Sequence, residues 1–184
     1  MKPVRLVLLG AAIAASAPIS AQVVISHSIS EAEVRAAQGA WCDALVEISS
    51  TYESNGQDAA KALAGEVIDA AYGYQLGAVL FKPTLTTNPQ TFRTTRAGAL
   101  AYFVGGDPEF ASDTGFALKG WTQCQPETAA IFITGNTAMT MGKVHFTDAG
   151  GNVTSVDKTW GFMKDDAATI RIVLHHSSLE YSGD

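Results

Sequence analysis

Apolar and polar positions along the chain repeat with two different periods. From Val34 onward Ala37, Trp41, Leu45, Ile48 and Tyr52 recur three and four apart, which is one buried stripe of an α-helix. The preceding "SEAE" at 30–33 reads as a capping box, because Ser30 can accept from a first-turn amide while Glu33 reaches back. Gly56, after "SN", stops the stripe. A second helix is predicted over 58–74, with Leu63, Val67, Ala71 and Tyr74 on one core-facing side. "AVLFKP" is a short strand closed by Pro83, which lacks the amide that a central ladder needs. "TLTTNPQTFR" is rich in turn formers, and "RAGALAYFV" predicts a third helix ending at Gly105 and Gly106.

Beyond Gly120 the period shortens to that of strands. Four long segments, 121–135, 136–149, 152–166 and 169–178, are separated by "TGN", "DAGGN" and "DDAA". Such breaks are hairpin signals, so the segments form an antiparallel meander. Helices followed by a meander predict an α+β fold, with the N-terminal helices packed on one face of a strongly curved antiparallel sheet. A curved sheet wrapped over a long helix makes a cone with a pocket inside, as in the nuclear transport factor 2 superfamily. That likeness is one of fold, and such folds carry many unrelated functions.

Composition narrows the rest. With 184 residues, 47% of them hydrophobic, the chain can bury one domain's core without metal or disulfide support. Residues 1–21 stand apart from the remainder of the chain: Lys2 and Arg5 precede the apolar run 6–15, and Ala21 offers a cleavage point before Gln22. This is the pattern of a secretory signal peptide, which leaves 22–184 as a single mature domain in the periplasm or outside the cell. The apolar run is too short for a membrane span, so no membrane association is expected after cleavage. The net charge is −6, and loss of Lys2 and Arg5 deepens it, which argues against a nucleic-acid partner. In an oxidising compartment Cys42 and Cys124 can form a disulfide or stay as buried thiols; the spacing leaves both open.

The closing "IVLHHSSLEY" carries more chemistry than a strand end requires. Alternation puts His175 and Ser177 on one face and His176 and Ser178 on the other, without saying which pair faces inward. A histidine-bound zinc or manganese ion is one route to water activation. Besides His175 and His176 the chain has only His27 and His145, and adjacent strand histidines point apart.

Taken together, "FKPTLT" at 81–86, "GALAYFVGGD" at 98–107, "LHHSSLEY" at 174–181, "WCDAL", "GNTAMTMGKVHFTD" and "DKTWGF" resemble the iota-class carbonic anhydrases, over about residues 31–181. The family's terminal signature is commonly HHHSS; here Leu174 takes the first histidine's place. The resemblance implies a cone related to the association domain of a calmodulin-dependent kinase, a homodimer, and reversible hydration of carbon dioxide to bicarbonate with carbon dioxide, bicarbonate and water as the partners. It also implies a metal-free pocket with no cofactor, in which Thr84 of KPT, Tyr102 of AYF and Ser177 of HHSS are catalytic. His175 shares the face of Ser177 and joins that set. The three hydroxyls can each donate and accept, and His175 or His176 is the natural proton acceptor near neutral pH. The rival reading is a non-enzymatic cone that binds a small ligand or assembles subunits; Thr84, Tyr102 and Ser177 would then be a turn hydroxyl, a packing residue and a strand end.

Overall fold

The computed structural model describes residues 26–183, so the leader expected over 1–21 lies outside it. Helix α1 spans Glu31–Asn55. Its capping box forms as expected: Ser30 Oγ accepts from the Glu33 amide at 3.3 Å, and Glu33 Oε2 accepts from the Ser30 amide at 2.9 Å. Helix α2, Gln57–Ala71, stops three residues short of its expected end at 74. Tyr72 turns extended and bridges to Ile172, and the Gly73 amide donates to the Ile172 carbonyl at 2.9 Å. Pairing with the sheet thus takes the backbone groups that would have continued the helix. Helix α3, Arg96–Val104, has the expected bounds; Thr95 caps it, and Gly105 at φ 64° ends it.

Among the described residues five strands make one sheet: β1 (Leu80–Lys82), β2 (Trp121–Thr134), β3 (Thr137–Asp148), β4 (Val153–Lys164) and β5 (Ile170–Leu179). Their spatial order is β1-β5-β4-β3-β2, and β2 to β5 form the predicted antiparallel meander. The sheet as a whole is mixed, because β1 lies parallel to β5 and pairs Leu80 with Leu174, Phe81 with His175 and Lys82 with His176. A three-residue strand shows in a sequence, but the direction in which it meets the far end of the chain does not.

Bulges curl the sheet. Two interrupt the β2–β3 pairing, one of them between Thr128 and Ala130. At that bulge β2 folds so close that a Cβ on Gly142 would lie 2.0 Å from the Glu127 carbonyl oxygen; only glycine fits. A third bulge lies in β5: Gly161 pairs with Leu174 while Phe162 pairs with Ile172, which makes Val173 the extra residue. The bulge reverses parity, so Ile172 faces the helices and, past it, so do His175 and Ser177. Leu174 and His176 face away.

The core lies between the helices and the inner sheet face. Trp41 of α1 meets Phe103, Phe146 and Trp160 edge-on, with centroids 6.4, 6.3 and 5.8 Å away. Beside it Cys42 is disulfide-bonded to Cys124 of β2, which decides between the two cysteine states and pins α1 to the sheet.

Candidate active site

Thr84, Tyr102, His175 and Ser177, far apart in sequence, line one cavity with Lys158 under an aromatic wall of Trp41, Phe81, Phe103 and Phe116. Its free volume for a water centre is about 10 Å3, room for one water-sized guest. The sheet brings the parts together. β1 runs beside β5 until Pro83 ends the ladder, and the chain then turns Thr84 towards β5, where its hydroxyl donates to Ser177 Oγ at 2.6 Å. Ser177 is 2% exposed.

The loop that carries Thr84 is tied down from behind. Thr86 Oγ1 donates to the Thr91 carbonyl at 2.6 Å. The Arg93 guanidinium grips Asp113 through two bonds of 2.8 Å and also donates to the carbonyls of Gln90 and Phe92. Arg93 is thereby fully paired, so it holds the loop and lends no charge to the cavity.

Tyr102 projects from α3, stacked on Phe116 at 5.5 Å and edge-on to Phe81 at 5.7 Å. Its hydroxyl lies near Thr84 and Leu85 but in bonding geometry with neither, so this buried oxygen has no partner among the described residues. Burial pushes its pKa up, and it stays a neutral phenol that can donate.

His175 is buried among rings, stacked on Phe81 at 4.5 Å with Trp41 edge-on at 5.3 Å. Its Nδ1 lies 2.8 Å from the Tyr72 hydroxyl, which also accepts from Trp41 Nε1 at 2.9 Å. An indole nitrogen can only donate, and Nδ1 of His175 is the one acceptor within reach of the Tyr72 proton among the described residues, so all three groups are satisfied when Tyr72 donates to Nδ1. The imidazole therefore carries its hydrogen on Nε2, a buried atom with no partner among the described residues. Burial, with Lys158 and His176 nearby, holds its pKa well below the ordinary 6.5. His175 is a neutral donor here, a correction to the expectation of a proton acceptor titrating near neutral pH.

The other histidines lie elsewhere. His176 faces outward from β5, His27 is exposed, and His145 sits on the outer sheet face, bonded to Ser155 at 2.8 Å and Glu127 at 3.0 Å. Among the described residues no group of three or more His, Cys, Asp or Glu is placed to hold a metal ion. Leu174 also faces outward, so the change from HHHSS takes nothing out of the cavity.

Two participants escape a reading of the sequence alone. Tyr72 reads as the end of a helix, whereas it orients His175. Lys158 is 4% exposed with its Nζ 4.4 Å above the Trp41 ring and 5.3 Å from that of Trp160. Its signal was available: Val156, Lys158, Trp160 and Phe162 alternate along β4, which puts a lysine at an inward position.

A curled sheet packed over a long helix, with a small pocket of hydroxyl, imidazole and amine groups between them, defines the class: an α+β cone. Within that class the chain belongs to the metal-independent carbonic anhydrases, whose family profile matches residues 32–179. The metal-independent carbonic anhydrase of Nostoc sp. (strain PCC 7120 / SAG 25.82 / UTEX 2576) is 61% identical over 158 residues, which is 86% of this chain and 77% of the Nostoc protein. A crystal structure of the iota-carbonic anhydrase from a cyanobacterium, complexed with bicarbonate, matches with a TM-score of 0.87 and 59% identity, covering 89% of this chain and 100% of that one. A Xanthomonas campestris structure named after the calcium/calmodulin-dependent protein kinase II association domain matches at a TM-score of 0.54 and 19% identity over 91% of this chain and 100% of its own, and shares the fold alone.

Proposed function

We propose that this carbonic anhydrase works at the cavity between Thr84, Tyr102, His175 and Ser177, where it interconverts carbon dioxide and bicarbonate without a metal. The observation that carries this reading is that two buried polar atoms, the Tyr102 hydroxyl oxygen and His175 Nε2, lack partners among the described residues and belong to side chains that line one small cavity. Unpaired buried donors are costly unless a guest supplies acceptors. Oxygen atoms of carbon dioxide, and the negative charge that grows on them as water adds, are such acceptors. The Thr84–Ser177 pair fits the attacking water: Thr84 donates to Ser177, which leaves the serine proton, one serine lone pair and the lone pairs of Thr84 to orient it. The aromatic wall suits a linear apolar molecule.

The test is stopped-flow hydration of carbon dioxide by chelator-treated protein. We expect full activity after chelation, and a loss on the order of 10²-fold in kcat for Thr84→Val and for Ser177→Ala with the fold intact. Activity that needs added zinc or manganese would refute the metal-free site, and unchanged kcat in both variants would refute its location.

The same reading takes the mature protein to be a periplasmic homodimer. The predicted signal peptide and the Cys42–Cys124 disulfide support an oxidising compartment. For the dimer the support is an apolar row across the outer sheet face, Leu80–Leu174–Gly161–Met139–Phe132, joined strand to strand in register. Leu80 and Phe132 are each 61% exposed, more apolar surface than a lone sheet face usually leaves in water. Sedimentation of the mature chain as a monomer would contradict this assembly.

A further inference from the structure

Hydration of carbon dioxide releases a proton, and the four residues that hold the reactants give it nowhere to go. Thr84, Ser177 and Tyr102 are neutral hydroxyls, and the lone pair of His175 is occupied by Tyr72. The cavity has one further polar group, the amine of Lys158. Its β5 partner in register is Ser177, and its β3 partner is Gly142, which has no side chain to crowd it. Helix α1 covers it with the face of Trp41.

We propose that the Lys158 amine accepts the proton from the attacking water. This rests on the carbonic anhydrase reading of the cavity and adds the base that reading lacks. In the hydration direction the water oxygen forms a bond to carbon as its O–H bond breaks and the proton passes to the lone pair of Nζ. One C=O electron pair moves onto its oxygen, where Tyr102 and His175 Nε2–H donate to it. The products are bicarbonate and the Lys158 ammonium, which then yields its proton to water or a buffer base.

Two features let Lys158 exist in both states. Removal from water favours the free amine, and no acidic group lines the cavity to offset it: the titratable neighbours there are His175 on β5 and Tyr102 on α3, with His176 electrostatically close, while Glu127, Lys143 and Asp157 share a separate pocket with Lys158. The faces of Trp41 and Trp160 stabilise the transient ammonium. A lysine kept only for packing would need neither its position opposite Ser177 nor an open side towards the cavity.

The experiment compares wild type, Lys158→Met, Lys158→Arg and Lys158→Ala by stopped-flow hydration across the neutral range, with folding checked by circular dichroism. Wild-type kcat should rise with pH as the amine deprotonates. Folded Lys158→Met and Lys158→Arg should both lose about 10²–10⁴-fold in kcat and lack that rise, because arginine keeps the charge but is no base. Added small primary amines should restore part of the rate to Lys158→Ala. A folded Lys158→Arg with wild-type kcat overturns the proposal. Wild-type protein inactive at every pH would instead overturn the carbonic anhydrase reading of the cavity.

Discussion

His175 and its partners show how the surroundings set a residue's chemistry. An exposed imidazole titrates near neutrality, but here Trp41 donates to Tyr72, Tyr72 donates to His175, and one tautomer results. Tyr72→Phe removes the link and leaves Trp41 Nε1 and His175 Nδ1 unpaired in the core. Its cost should be about 1–3 kcal/mol of stability. Because the tautomer is then free to switch, kcat should fall about tenfold, equivalent to about 1.4 kcal/mol, with KM little changed; equal kcat in the two proteins would reduce Tyr72 to packing. The site was partly legible at this scale. Thr84, Tyr102 and Ser177 were singled out through the family resemblance that KPT, AYF and HHSS carry, and His175 by sharing the face of Ser177; the structure brings the four to one cavity. Tyr72 and Lys158 were not singled out, because their roles depend on what stands opposite them across α1 and the sheet.

At the scale of elements the repeat of apolar residues carried the reading a long way. The bounds of α3 and the start of α1 follow from capping chemistry within a few residues of the helix, and the four-strand meander from its turns. What local pattern leaves out is competition between distant segments. The β5 edge claims Tyr72 from α2 and draws β1 in parallel to itself. The Val173 bulge is equally invisible in the apolar run 170–174, yet it is what turns Ile172 and His175 to one face despite their odd spacing. Gly142 tests the curl directly. Gly142→Ala sets a methyl against the Glu127 carbonyl, so stability should drop on the order of 3 kcal/mol as the bulge opens. Urea denaturation measures it, and a change within error of zero would show that β2 relaxes freely there.

The whole molecule should be acid-sensitive well above the usual carboxylate range. His175 is neutral in the fold, with its pKa held below 6.5. Between its folded and ordinary values the unfolded chain binds more protons, so the stability from keeping it neutral is present above pH 6.5 and is lost as pH falls towards the folded value. Glu33 adds a later loss of the same sign: its hydrogen bonds to Lys164 and Ser30 hold its pKa down to about 2 against an ordinary 4.5, so that contribution goes as pH falls through this lower window. Urea midpoints measured from neutral pH downward should therefore decline, and His175→Gln should lessen the decline below pH 6.5, where Lys158 and His176, also lowered by burial, lose stability with the same sign. A flat midpoint in the wild type between neutral pH and the carboxylate range would contradict the buried neutral imidazole. The disulfide has a different consequence. It closes a loop from Cys42 to Cys124 that contains Thr84 and Tyr102, while Lys158, His175 and Ser177 all lie on the strands beyond it. The groups that line the cavity are thus shared between a covalently closed half and an open one, and the turn at Gly150 and Gly151 joins them through solvent-exposed residues. The protein is in effect already divided for fragment complementation: two pieces cut at that turn would each hold an inert half-site, and catalysis would report their reunion.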